Sequence, residues 1–155
     1  MISQLSAIVL AAAGPRLLAS GMYYILASPE IESRLRAELV PLLTPHIPTN
    51  TLPTSSEFEK LPYMKACIKE SLRLAMGLVR QLPKKHVDDE IVYKEWVIPK
   101  NTPVGFWTFL RHYDEEVFPE PWKFIPERWL GEYDARMDRN MIPFGRGGRS
   151  CLGRK

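Results

Sequence analysis

Cys151, one of two cysteines in the chain, sits in the stretch PFGRGGRSCLG, residues 143–153. A cysteine thiolate is a nucleophile and a soft metal donor, and nearby cationic side chains and free backbone N–H groups favour the deprotonated sulfur. Arg146 and Arg149 bring positive charge to this stretch, and Arg149 is also able to pair with a carboxylate on the rim of a ligand. Gly145, Gly147 and Gly148 let the backbone turn tightly and approach a flat ligand, beside which Phe144 can lie. The chemistry this set suggests is thiolate donation to iron; the competing reading is a flexible basic loop with an incidental cysteine. Cys67 lies in a dissimilar setting, and no CxxC or HExxH spacing occurs, which argues against a disulfide scaffold or a structural zinc site. His46, His86 and His112 are scattered, without ligand spacing or a nearby nucleophile, and take no catalytic role in this reading.

A second set lies in LPYMKACIKESLRLAM, where Pro62 starts a helix and Met64, Ile68, Ser71 and Ala75 recur at helical spacing to form one buried face. Glu70 and Arg73 fall together on the other side, three residues apart, and read in isolation as a solvated ion pair of small energetic weight. Upstream, SPEIESRLRAELVP carries an N-cap at Ser28, Pro29 at the first helical position and Pro41 as the stop, with Ile31, Leu35 and Leu39 as the apolar stripe. The Pro- and Thr-rich residues 41–60 then read as a surface loop. Short strands are predicted over residues 91–93, 96–98 and 104–110, with PKNTP as the turn between the last two. Beyond them comes a proline-rich irregular segment, with one helical turn expected over residues 114–117.

With 155 residues, 45% hydrophobic and 25% charged, the composition suits one globular domain. The two unpaired cysteines point to a reducing compartment, and the net charge of +3 is mild, although arginines crowd the carboxyl end. The apolar opening MISQLSAIVLAAAGPRLLASGMYYIL lacks a preceding basic stretch, and Gly14, Pro15 and Arg16 interrupt it, so it reads as a buried helix rather than a membrane span or signal peptide.

Taken together, these motifs resemble those of the cytochrome P-450 superfamily, the haem-thiolate monooxygenases. Phe144, Gly147, Arg149, Cys151 and Gly153 match the family's F-x-x-G-x-R-x-C-x-G signature. Glu70 and Arg73 match its E-x-x-R helix, and Pro126 to Trp129 in PERW match the segment whose arginine, here Arg128, joins that pair. YKEWVIPKNTPV and FPEPWKFIPERWLGE are similar to members from filamentous fungi. The resemblance implies a mainly α fold with a small β portion, an incomplete C-terminal part of that family's domain running from the end of the distal helix to the haem-ligand loop, residues 1–155. It implies haem b held through the Cys151 thiolate, with Arg149 on a propionate and Lys84 or Lys85 in place of a family arginine on another. It turns Glu70, Arg73 and Arg128 into a buried structural triad, and it names no catalytic side chain in this chain.

The same resemblance implies an apolar organic substrate, lined in part by Leu78, Val79 and Leu82 of AMGLVRQLP, and electrons from an NADPH-cytochrome reductase docking near the basic face. The family's distal helix carries an acid followed by threonine, and Gly14 to Leu18 supply neither. The resemblance implies the endoplasmic reticulum membrane as location, while the fragment, expected to lack the family's membrane anchor, has the cytoplasm as its alternative; with the distal acid and threonine not supplied, poor haem uptake and no turnover are expected. The alternatives are an inert remnant or interaction fragment, and an RGG-like nucleic-acid-binding tail; E-x-x-R and PERW have no reason to accompany the latter, so no nucleic-acid partner is expected.

Overall fold

The computed structural model describes residues 13–75 and 83–151, apart from the side chains of Ala13 and Arg149. The first twelve residues, Leu78, Val79, Leu82 and Gly153 lie outside the described part. Helix α1 spans Ala13–Leu26 and helix α2 spans Pro29–Leu43. Short helix α3, Ser55–Phe58, leads to α4, Pro62–Leu74. Strand β1, Lys84–Lys85, pairs antiparallel with β4, Pro103–Val104, and β2, Ile91–Tyr93, pairs antiparallel with β3, Trp96–Ile98. Two helices complete the order, α5 at Thr108–His112 and α6 at Ala135–Asn140. The architecture is mainly α with a small β portion, as the sequence predicts. No helix among the described residues is long and apolar enough to cross a membrane.

Helix α4 is the centre of the packing. Gly21 of α1 lies so close to it that a Cβ there would meet Ser71 Oγ at 2.6 Å, so α1 and α4 approach to a distance only glycine allows. On its other side α4 meets the 3-10 turn Pro126–Trp129, and Ala66 joins Val117, Phe118, Trp129 and Met137 in the buried apolar cluster. At its start, Glu38 of α2 accepts the Tyr63 and Met64 amides at 3.0 and 2.8 Å, satisfying two of the N–H groups that a helix leaves open at its first turn.

Four local expectations are corrected. The buried face of α4 is not Met64, Ile68, Ser71 and Ala75: Ile68 is 45% exposed, whereas Tyr63, Ala66, Cys67, Glu70, Ser71, Arg73 and Leu74 are buried. The helix is covered on two sides and holds an ion pair inside, which a pattern based on apolarity assigns to water. Pro41 does not stop α2, which continues to Leu43; a proline in the last turn removes one hydrogen bond, and Thr44 still donates both its amide and its hydroxyl to the Val40 carbonyl. Residues 41–60 are not a plain loop but include the 3-10 turn Thr44–His46 and α3, where Glu57 accepts from the Thr54 amide and hydroxyl at 2.8 and 2.7 Å. The predicted strand over residues 104–110 ends at Val104, and α5 follows. Helical spacing there sets the Phe109 and Tyr113 rings 4.6 Å apart and lets both meet Trp122, and this packing overrides β propensity.

Candidate functional site

Glu70 and Arg73 are both fully buried, the reverse of a solvated pair. One Glu70 oxygen accepts from Arg73 Nη2 at 2.8 Å, the Ile125 amide at 3.1 Å and Arg128 Nε at 3.1 Å. The other accepts from Arg73 Nε at 3.0 Å and Trp129 Nε1 at 2.8 Å. Arg73 spends its remaining donors on the carbonyls of His112, Pro121 and Lys123, at 2.8, 2.6 and 3.0 Å, so every guanidinium N–H has an acceptor. The structure thus brings Glu70, Arg73 and Arg128 together in one contact set and uses them to pin residues 112–129 onto α4. A buried carboxylate facing two guanidiniums is tolerated here because five donors and four carbonyls, that of Glu120 included, solvate the charges.

A second carboxylate, not singled out by sequence reasoning, works beside the first. Glu127 accepts from Arg34 Nη1 of α2 at 3.0 Å and from the Tyr63 hydroxyl of α4 at 2.9 Å, while the Arg34 guanidinium lies 4.3 Å from the Tyr63 ring centre. Burial, reinforced by this hydrogen bond, pushes the Tyr63 hydroxyl pKa up. Nothing in the PERW pattern marks Trp129 as a donor to Glu70. No sequence signal marks Arg34, which is ninety-three residues from its partner.

The loop bearing Cys151 is closed by its own backbone. The Gly145 amide donates to the Ile142 carbonyl at 3.0 Å, Ser150 to Gly147 at 3.0 Å, and Cys151 to Phe144 at 2.8 Å. The last of these sets Phe144 and Cys151 side by side at the mouth of the loop. Gly145 and Gly147 hold φ of +70° and +76°, a region unfavourable to other residues, so their role is the turn. Space does not require glycine at 147 or 148, where an added Cβ meets nothing within 4 Å. Arg146 donates to the Asp138 carbonyl at 3.3 Å, anchoring the loop to α6. Between the loop and α4 lies an open cleft of about 260 Å³, lined by Lys69, Leu72, Met141, Pro143, Phe144 and Arg146 among others. Burial works against charge on Lys69, but hydrogen bonds to Tyr133 and Asp138 outweigh it and raise its pKa.

The two cysteines differ in kind, and both are free. Cys67 is 2% exposed, and burial, with nearby Glu127 and Glu38 adding, pushes its pKa to about 12, so it stays a thiol. Cys151 is exposed. Among the described residues no three His, Cys, Asp or Glu side chains gather as metal ligands. One accessible soft donor, on a residue whose amide is held by the Phe144 carbonyl, fits a metal whose other ligands come from a macrocycle, and does not fit a metal caged by protein alone. Lys84 and Lys85 are exposed on β1, and His46 and His86 bond to neighbouring loop groups.

Comparison with known proteins decides the family. The sequence model described as Cytochrome P450 matches residues 17–155. The chain belongs to the cytochrome P450 family. It is 53% identical over 133 residues to cytochrome P450 monooxygenase tndB of Aspergillus flavipes, covering 86% of this chain and 27% of that protein. It is 46% identical over 128 residues to fusicoccadiene C-8 hydroxylase of Alternaria brassicicola, covering 83% and 24%. It is 40% identical over 156 residues to stellatic acid synthase of Emericella variicolor, covering 85% and 30%. The chain therefore spans about a quarter of the length of the curated P450 relatives it matches.

Proposed function

We propose that this chain carries the haem-thiolate segment of a fungal-type P450 monooxygenase, with Cys151 as the iron ligand of haem b. The observation that supports this most is the backbone closure between Cys151 and Phe144 that leaves Cys151 exposed, on a loop anchored by Arg146 to α6, which Lys69 in turn ties to the helix carrying Glu70 and Arg73. When bound, haem supplies the redox chemistry that inserts one oxygen atom into an organic substrate. Cys151 would hold the metal and donate electron density, Phe144 and Arg149 would contact the cofactor, Arg149 by pairing with a propionate, Gly147 supplies the turn ahead of the sulfur, and Gly153 completes the same motif. Glu70, Arg73 and Arg128 do not touch the reacting atoms; they hold the frame on which the loop stands.

The fusicoccadiene hydroxylase among the relatives supports an apolar substrate of terpenoid type, and Leu78, Val79 and Leu82 are the residues assigned to that wall. Electrons come from an NADPH-cytochrome reductase on the basic face around Arg139, Arg146 and Arg149. Arg16 is the one charged residue of α1, which offers no acid followed by threonine for moving protons, so the isolated chain is expected to turn over nothing. The test is titration of the apo chain with ferric haem, followed by absorbance and electron paramagnetic resonance. A low-spin thiolate signal that vanishes in Cys151→Ala and persists in Cys67→Ala supports the assignment. Equal haem uptake by wild type and Cys151→Ala, without a thiolate signal, overturns it.

A further inference from the structure

We propose that His112 is a positioning residue that connects the Glu70 network to the ligand loop, an inference that rests on the reading of Cys151 as a haem ligand. His112 ends α5 and is 4% exposed. Its Nδ1 lies 3.2 Å from the Arg73 carbonyl oxygen, which can only accept, so Nδ1 carries the proton. Its Nε2 accepts the Ile142 amide at 3.0 Å. Both ring nitrogens of one neutral tautomer are thereby used. The His112 carbonyl also accepts from Arg73 Nη1 at 2.8 Å, so the residue is gripped at backbone and ring by the same arginine residue.

What the ring does to Ile142 matters most. In a continuing α6 the Ile142 amide would donate to the Asp138 carbonyl, four residues back. Instead it turns to His112, Met141 takes an extended ψ of 94°, and the Asp138 carbonyl is taken by Arg146 from the ligand loop. The helix ends here and the chain turns toward Pro143 and Phe144, whose carbonyl holds the Cys151 amide. A continuous path of hydrogen bonds and backbone then runs from Glu70 through Arg73, His112 and Ile142 to Cys151. Ile142 is itself buried, so its amide has no easy recourse to water if the imidazole is removed. Histidine suits the position because a rigid ring offers a donor and an acceptor on opposite edges, a pairing that serine is too short to span.

The inference is tested on the full chain with His112→Phe, which keeps a planar ring without either hydrogen bond, and His112→Gln, whose amide oxygen can replace Nε2 as acceptor. Amide hydrogen exchange of the apo chain is read by NMR, and the haem-loaded chain by the carbon monoxide difference spectrum. The expected result is Ile142 exchange faster by about tenfold or more in His112→Phe and largely restored in His112→Gln. The share of thiolate-type over thiol-type carbon monoxide complex should fall and recover in the same order. Unchanged Ile142 exchange in the Phe variant overturns the bridge, and so does failure of Gln to recover either readout. A wild-type chain with no thiolate-type signal overturns the reading of Cys151 instead, while Ile142 exchange still reports on the bridge.

Discussion

Replacing Glu70 by glutamine changes few atoms and removes one charge. The carboxylate accepts five hydrogen bonds, and an amide in its place keeps one acceptor oxygen while turning two N–H groups toward donors. With the amide nitrogen in the second oxygen's position, Arg73 Nε and Trp129 Nε1 face a donor. Two hydrogen bonds to a charged group, at roughly 1.5–3 kcal/mol each, amount to about 3–6 kcal/mol. An independent estimate, the removal of one partner from a buried ion pair, gives about 3–5 kcal/mol, so about 4 kcal/mol is expected. With a urea slope of about 2 kcal/mol per molar, the midpoint should fall by about 2 M. Trp129, buried and bonded to Glu70, is the natural fluorescent reporter. The control is Glu32→Gln, which breaks the Arg36–Glu32 pair at 2.6 Å, a shorter contact than any made by Glu70 but with the arginine 69% exposed. Its loss should cost under about 0.5 kcal/mol. If Glu70→Gln shifts the midpoint no more than Glu32→Gln does, the argument that burial and donor count set the strength of this network fails.

Gly21→Ala gains up to about 1 kcal/mol of helix propensity but forces a Cβ to within 2.6 Å of Ser71 Oγ and 3.1 Å of its Cβ, and overpacking of this sort costs about 1–3 kcal/mol. A net loss of stability in thermal melts is expected, relieved by adding Ser71→Gly; a stabilised Gly21→Ala would show that α1 does not sit against α4 as described. Burial holds the His112 pKa down to about 4, against about 6.5 in an unfolded chain, so the unfolded state protonates first. The corresponding stability is intact above about pH 6.5 and falls by about 3 kcal/mol as the pH drops to about 4. Urea midpoints between those limits should decline less steeply in His112→Phe than in wild type, and parallel declines would refute the buried neutral imidazole.

How much of this was legible in the sequence depends on how far apart the partners lie. Phe144, Gly147 and Cys151 form one local run, and Glu70 with Arg73 form one helical turn, so their spacing was readable and the family resemblance added Arg128. Strands β2 and β3 were readable too, from their β-branched and aromatic residues, but their pairing with each other across a two-residue turn was not read. Glu38 and His112 carry no local pattern, and Glu127 stands in PERW with nothing to mark its own partners, since each acts on groups twenty-five or more residues away. Residues 108–112 look like a strand by composition and become a helix through contact with Trp122, a tertiary effect that no window of sequence contains. The capping residues Thr54 and Glu57 were readable in principle, as the S/T-x-x-E pattern inside TSSE, but the surrounding prolines and threonines masked it.

Cys151, and not Cys67, is the sulfur proposed to meet iron. The most direct measurement is the carbon monoxide difference spectrum of the reduced chain loaded with haem, recorded for wild type, Cys67→Ala and Cys151→Ala. The red-shifted, thiolate-type Soret band is expected in the first two, small if uptake is poor, and its loss in the third. A band of equal height in Cys151→Ala would contradict it.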